Sequence, residues 1–156
     1  MGLHQDILNQ PVSELDLREL IAVRQDVTIR DALAQMCEKK LGCVVIVDDQ
    51  NRPLGKFTER LLVRLLLDQP DGLDHPVGQH MASAWAWVQM IDPIAKVIDC
   101  MESKKLRFVI VLDDQGRAIA LTGQKGVMGY IADHFPRQVR VQRMSSEYFT
   151  GQREGG

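Results

Sequence analysis

The stretch Lys39-Lys40-Leu41-Gly42-Cys43-Val44-Val45-Ile46-Val47-Asp48-Asp49-Gln50-Asn51-Arg52 decides the fold. It returns 65 residues later as Lys104-Lys105-Leu106-Arg107-Phe108-Val109-Ile110-Val111-Leu112-Asp113-Asp114-Gln115-Gly116-Arg117. Each copy opens on a lysine pair, runs through five apolar residues and closes on Asp-Asp-Gln. A short continuous apolar run rich in β-branched side chains reads as a buried strand. The polar segment after it reads as a turn. Sliding residues 20–68 onto 85–133 without a gap carries the match outward. Val23/Val88, Met36/Met101, Val44/Val109 and Asp68/Asp133 are identical, while Ile29/Ile94, Leu33/Ile98, Val45/Ile110, Ile46/Val111 and Leu54/Ile119 stay apolar. Those positions must point inward if both halves fold alike.

Each copy predicts the same order of elements. In the first, Leu20 to Val23 is a short strand. Thr28 is an N-cap, with Asp31 three residues on in a capping-box-like pair. Ile29, Leu33 and Met36 share one face of a helix ending near Lys40. Cys43 to Val47 and Leu54 to Thr58 are strands, and Leu61 to Asp68 is a second helix. In the second copy Trp85 to Val88 is a strand, and Asp92 caps a helix with Pro93 at its first position. Ile94, Ile98 and Met101 face inward. Phe108 to Leu112 and Ile119 to Thr122 are strands. The last helix runs from about Gln124 to Phe135 and stops before Pro136. Gln69 to Gln79, rich in Pro, Gly and Asp, is a linker. A unit of about 50 residues buries too little apolar surface alone, whereas two packed together do not. The expected fold is α/β (α+β), two pseudo-symmetric βαββα repeats packed sheet to sheet. The expected boundaries are 11–68 and 77–135, with a C-terminal tail at 136–156.

Bulk properties narrow the function. The 156 residues carry a net charge of −2, which gives no overall electrostatic grip on nucleic acid or an anionic membrane. Cys37, Cys43 and Cys100 lie in apolar segments without CxxC spacing, so buried thiols in a reducing compartment are expected. The N-terminus lacks the pattern of a signal peptide. The longest apolar stretch, Leu61 to Leu67, is broken by Arg64 and is too short to span a bilayer. A soluble, cytoplasmic protein is expected.

Three segments carry a family resemblance. They are Val27-Thr28-Ile29-Arg30-Asp31-Ala32, then Leu41-Gly42-Cys43-Val44-Val45-Ile46-Val47-Asp48, then Pro53-Leu54-Gly55-Lys56-Phe57-Thr58-Glu59-Arg60. Together they resemble a cystathionine-β-synthase (CBS) domain, and Asp92-Pro93-Ile94 through Ala120-Leu121-Thr122 resembles a second, more diverged one. The resemblance covers about residues 11–135 and implies a Bateman module. Such pairs bind adenosine-containing ligands such as AMP, ADP, ATP or S-adenosylmethionine in clefts between the repeats, require no cofactor, and regulate an enzyme, channel or transporter.

The resemblance also implies where a ligand sits. The family places a Ser or Thr after the second core strand and an acidic residue three positions on. The hydroxyl donates to phosphate and the carboxylate accepts from ribose hydroxyls. Thr58 fills the hydroxyl position, Arg60 stands beside it, and Leu61 occupies the acidic position. In the second copy Gly123 and Gly126 hold those two positions, Thr122 lies one residue early, and Lys125 matches Arg60. Arg107 takes a core-strand position that is often basic in the family. The ligand-binding residues expected by position are Val23, Thr58, Arg60, Arg107, Thr122 and Lys125. Thr58 reads equally as the cap of the following helix, and the three cations read equally as a solvated rim.

Other chemistry finds no assembled set. His4, His75, His80 and His134 make no helical ligand pair, so no metal is expected. No nucleophile elbow, phosphate loop or dinucleotide fingerprint follows a strand, so no catalytic residue is nominated. The helix Leu61 to Leu67 is apolar nearly all round, and Val127 to Ile131 in the last helix raises the same question. A homodimer through these two helices is expected. Arg137, Arg140 and Arg143 in the tail belong to no nucleic-acid recognition fold. Two functions compete. One is a ligand-sensing regulatory module acting on a separate target protein. The other is a ligand-free homodimeric interaction or scaffold protein of the same fold.

Overall fold

The computed structural model describes Gln5, residues 8–83 and residues 85–134. The expected tail at 136–156 and Phe135 lie outside the described residues. The first half contains β1 (Ala22–Val23), α1 (Ile29–Lys39), β2 (Cys43–Val47), β3 (Pro53–Thr58) and α2 (Glu59–Asp68). The second contains β4 (Trp87–Gln89), α3 (Ile94–Lys104), β5 (Phe108–Leu112), β6 (Ala118–Gly123) and α4 (Gln124–His134). Each half forms a three-stranded sheet, in the orders β1-β2-β3 and β4-β5-β6. The first pair in each sheet is parallel and the second antiparallel.

The turns repeat as faithfully as the strands. Asp48 Oδ1 accepts the backbone N–H groups of Gln50 and Arg52 at 2.8 and 2.9 Å, and Oδ2 accepts Arg52 Nε at 3.0 Å. Asp113 does the same with Gln115 and Arg117 at 2.9, 2.9 and 2.7 Å. The turn needs one left-handed residue. Asn51 and Gly116 fill that position with φ of 61° and 79°. These hydrogen bonds, led by the backbone N–H of Arg52 and of Arg117, hold both carboxyls below the usual aspartate value.

Alternation along the strands sorts the apolar side chains into three interiors. In β2, Val44 and Ile46 face the helices of the first half, with Ile29, Met36 and Phe57. In β5, Val109 and Val111 face those of the second half, with Ile94 and Val97. The opposite faces meet. Cys43, Val45 and Val47 pack against Ile110, Leu112 and Leu121 between the sheets. Each such side chain removed from water stabilises by about 1.5–3 kcal/mol before entropy is counted. The sheet-to-sheet packing is therefore a shared interior.

The segment leading into each half crosses to the other. Residues 11–18 hydrogen-bond to the second half, through Val12 N–H to Asp92 O at 2.8 Å and Arg18 N–H to Leu121 O at 2.8 Å. Val12 and Leu15 are buried in that half's core. Reciprocally, Val77 N–H donates to Val27 O at 2.7 Å, and Val77 lies in the core of the first half. The linker carries two single-turn helices, Gly72–Asp74 and Val77–Gln79.

Two local expectations shift. The helix expected to start at Leu61 starts at Glu59, because Thr58 caps it by accepting Leu61 N–H at 3.4 Å. Thr28 caps α1 as expected, accepting Asp31 N–H at 3.2 Å. Asp92 does not cap α3. Pro93 holds the N-cap position, and the Asp92 carboxylate instead accepts Gln89 N–H at 2.7 Å and Lys96 Nζ at 2.8 Å. It closes the strand-to-helix turn rather than the helix end.

Candidate functional site

A cleft of about 610 Å³ opens where the end of β3 and the start of α2 face the end of the loop before β5. Gly42, Lys56, Thr58, Glu59, Arg60 and Arg64 line it from the first half, and Lys105, Leu106, Arg107 and Phe108 from the second. A second cleft of about 230 Å³ shares Arg107 and Phe108 and is completed by Asp16, Arg18 and residues 121–126. It runs on into a third of about 490 Å³ between residues 14–18 and α4.

The structure brings most of the expected residues to these walls. Thr58, Arg60 and Arg107 meet in the first cleft, and Arg107, Thr122 and Lys125 in the second. Val23 is apart: it is 5% exposed within the core of the first half and lines neither cleft. Thr58 serves as a cap through an oxygen lone pair, which leaves its O–H free to donate into the cleft. Thr122 lines the second cleft, but its hydroxyl is sealed from solvent and has no partner among the described residues.

The missing motif positions have physical causes. A Cβ at Gly123 would sit 2.3 Å from the Arg107 carbonyl oxygen, so the close approach of β6 to the start of β5 excludes any side chain there. A Cβ at Gly126 would meet Thr122 Oγ1 at 2.9 Å and the Asp16 carbonyl at 3.4 Å. The crossing segment thus fills the space that a carboxylate at 126 would need. Leu61 packs against the core of the first half.

Ion pairing divides the described cations, with Lys40 and Lys104 the two that neither pair nor line the first two clefts. Among the described residues six cations are ion-paired: Arg24, Arg30, Lys39, Arg52, Lys96 and Arg117. None of them lines either of the first two clefts. The cations that do are Arg18, Lys56, Arg60, Arg64, Lys105, Arg107 and Lys125. None of these forms an ion pair among the described residues. The first cleft has one carboxylate, Glu59, and the second has one, Asp16. Lys56 is half-buried, and burial holds its ammonium below the usual lysine value. Beside it, burial raises the Cys43 thiol to about 11.

Position alone did not nominate Lys56, Arg64, Lys105, Arg18 or Asp16. Lys56 had a readable signal. It pairs with Val45, so it projects from the sheet-to-sheet face of β3, where the repeat equivalent is Leu121. A lysine at an inward position marks the rim of an opening. Asp16 and Arg18 carried no such mark, because their place depends on the crossing of residues 11–18.

Metal and membrane features are absent among the described residues. No group of three or more metal-ligating side chains forms. His75 Nδ1 and His80 Nε2 lie 3.0 Å apart in stacked rings. No described helix is long and apolar enough to cross a membrane.

Comparison with known proteins agrees with this architecture. The family model for the CBS domain matches residues 12–68. An uncharacterized 17.7 kDa protein of Acidianus ambivalens is 25% identical over 122 residues, covering 78% of this chain and 73% of the relative. The crystal structure of a CBS-domain containing protein from Agrobacterium tumefaciens aligns with a TM-score of 0.66 at 27% identity, covering 76% of this chain and 96% of that one. A CBS domain protein from Pyrobaculum aerophilum, complexed with AMP, aligns with a TM-score of 0.67 at 21% identity, covering 86% and 98%. At that identity the likeness is one of fold.

Proposed function

Since this chain belongs to the CBS-domain family and carries two such units in tandem, we propose that it is a non-enzymatic, ligand-sensing regulatory module. An adenosine-containing nucleotide, such as AMP, ADP or ATP, binds in the cleft between the halves and alters how the protein engages a separate target. The observation that carries this reading is the segregation of charge: among the described residues the cleft cations lack ion-pair partners, while the paired cations lie outside these two clefts. Unpaired guanidinium and ammonium groups around a concave wall with a free hydroxyl are suited to phosphate. The AMP complex of the Pyrobaculum aerophilum relative supports the ligand class. Regulation requires the ligand to prefer one of two states.

Mass spectrometry of the denatured, freshly purified protein tests the first step, with a bound adenine nucleotide as the expected finding. Calorimetric titration with AMP, ADP, ATP and S-adenosylmethionine tests the second. No heat and no thermal shift with any of them would remove the ligand-sensing reading.

A second reading, a homodimeric scaffold without a ligand, is favoured by a different observation. On α2, Leu65 is buried while Val63 and Leu67 are 58% and 78% exposed, and on α4 Met128 is 57% exposed. These helices occupy equivalent places in the two halves, so a copy related by a two-fold axis offers a matching face. Sedimentation velocity should give a dimer at micromolar concentration, and Leu67→Glu should give a monomer. A wild-type monomer would overturn the dimer.

A further inference from the structure

The first cleft sets an excess of cationic side chains beside apolar ones, Leu61, Val63, Leu106 and Phe108. Its wall carries Lys56, Arg60, Arg64, Lys105 and Arg107 against the single carboxylate of Glu59. Lys56 projects from the sheet-to-sheet face and is half-buried without an ion-pair partner among the described residues, so its position favours a bound negative charge. Acceptors are scarce. One lone pair of the Thr58 hydroxyl is occupied by Leu61 N–H, leaving Glu59 as the one anionic acceptor for ribose hydroxyls. The volume of about 610 Å³ lies within the range of small-molecule sites.

We propose that this cleft selects its occupant by phosphate charge, and that the occupant is a nucleoside 5′-triphosphate held chiefly through its triphosphate. This rests on the nucleotide reading above and narrows it. A triphosphate carries about four negative charges near neutral pH and a monophosphate about two, because the terminal group's last ionisation lies near pH 6. The triphosphate therefore matches the excess of cations in the wall, and the monophosphate leaves part of it unneutralised. A sulfonium nucleoside brings a positive charge into a positive cleft. With so few acceptors, the 2′-hydroxyl contributes little, so ribo- and deoxyribonucleotides bind alike.

Magnesium-free calorimetry on the full chain with AMP, ADP, ATP, 2′-deoxyATP and inorganic tripolyphosphate tests the proposal at two salt concentrations. Affinity is expected to rise about tenfold or more from AMP to ATP, since each added phosphate makes further charge-assisted hydrogen bonds. 2′-DeoxyATP should bind within about twofold of ATP, and the ATP affinity should fall as salt is raised. The paired substitution Lys105→Gln and Arg107→Gln, both at exposed positions, should bring the ATP-to-AMP ratio towards one with the circular dichroism unchanged. AMP binding as tightly as ATP, or ATP binding indifferent to salt, would overturn charge selection and leave the nucleotide reading standing. Tripolyphosphate binding as tightly as ATP would uphold charge selection and overturn the nucleoside. No binding by any ligand would overturn both readings.

Discussion

Replacing Thr122 with valine should stabilise this protein. Thr122 is 3% exposed on β6, where it pairs with Val109. Its hydroxyl is sealed beneath the first turn of α4 and finds no partner among the described residues. A buried hydroxyl that has lost water and gained no hydrogen bond costs about 1–3 kcal/mol. Valine has nearly the same shape, keeps the branched side chain that a strand favours and puts a methyl where the hydroxyl was. Thr122→Val is therefore expected to gain about 1–3 kcal/mol. For a chain of this size one kilocalorie moves Tm by roughly 2–4 °C, so the rise is measurable by heat and by urea. Thr122→Ala separates the contributions. It also removes the hydroxyl but leaves a void, so its gain should be smaller or reversed. Nucleotide affinity should not change in Thr122→Val, because the hydroxyl does not reach the cleft. A loss of more than about 0.5 kcal/mol in Thr122→Val would refute the reasoning, for it would mean that the hydroxyl is satisfied in solution.

Five further outcomes follow from the geometry. Gly123→Ala forces a Cβ to within 2.3 Å of the Arg107 carbonyl oxygen and should cost about 1–3 kcal/mol in urea melts as the strands part; an unchanged midpoint would contradict the close approach. Val45→Asp places a charge between the sheets and should cost on the order of 3–5 kcal/mol. Trp85 and Trp87, the two tryptophans, both lie in the second half, so their fluorescence should lose its transition together with the far-ultraviolet signal, and separate transitions would deny the shared interior. Asp48 and Asp113 have folded-state pKa values below their unfolded ones. Their contribution is thus present above the unfolded value of about 4 and is lost as pH falls through the folded values; the double variant Asp48→Asn and Asp113→Asn should show a shallower acid limb in urea melts between about pH 5 and 2. In the native protein Cys37 is exposed and Cys43 is buried with its thiol raised to about 11, so a thiol reagent at about pH 8 should modify Cys37 and spare Cys43 until the chain unfolds.

The fold was legible because duplication states each strand and helix twice. The run from Cys43 to Val47 could by itself be a helix segment or a strand. Its recurrence at Phe108 to Leu112, with the same Asp-Asp-Gln turn after it, points to one unit and one register. What could not be read was exchange between the units. Pro11-Val12 recurs as Pro76-Val77 at the same spacing, and the structure forms equivalent single turns at Val12–Glu14 and Val77–Gln79. That recurrence shows that the two leaders are alike, but apolar pattern alone does not tell a leader which core to enter, because both cores present similar side chains. The site was legible only as far as the motif: Thr58, Arg60, Arg107 and Lys125 reach the clefts, while Asp16 and Arg18 arrive by the crossing and no local pattern marks them.

The differences between the repeats separate interior from opening. Where side chains meet in a core, equivalent positions stay apolar: Val44 and Val109, Ile46 and Val111, Ile29 and Ile94. Where they border a cleft, they diverge in kind, with Lys56 against Leu121, Thr58 against Gly123 and Leu61 against Gly126. Leu121 is 1% exposed and packs between the sheets, whereas Lys56 on the same face is half-buried and lines the first cleft. One lysine thus makes the two sides of a near-symmetric fold unequal. An ammonium does not join an apolar interior without a counter-charge, so Lys56 lies at the border of that interior and lines the cleft. Across the pseudo-two-fold, Leu121 packs between the sheets at the equivalent position, and the second cleft there is bordered by Asp16 and Arg18 of the crossing segment and by Gly123 and Gly126.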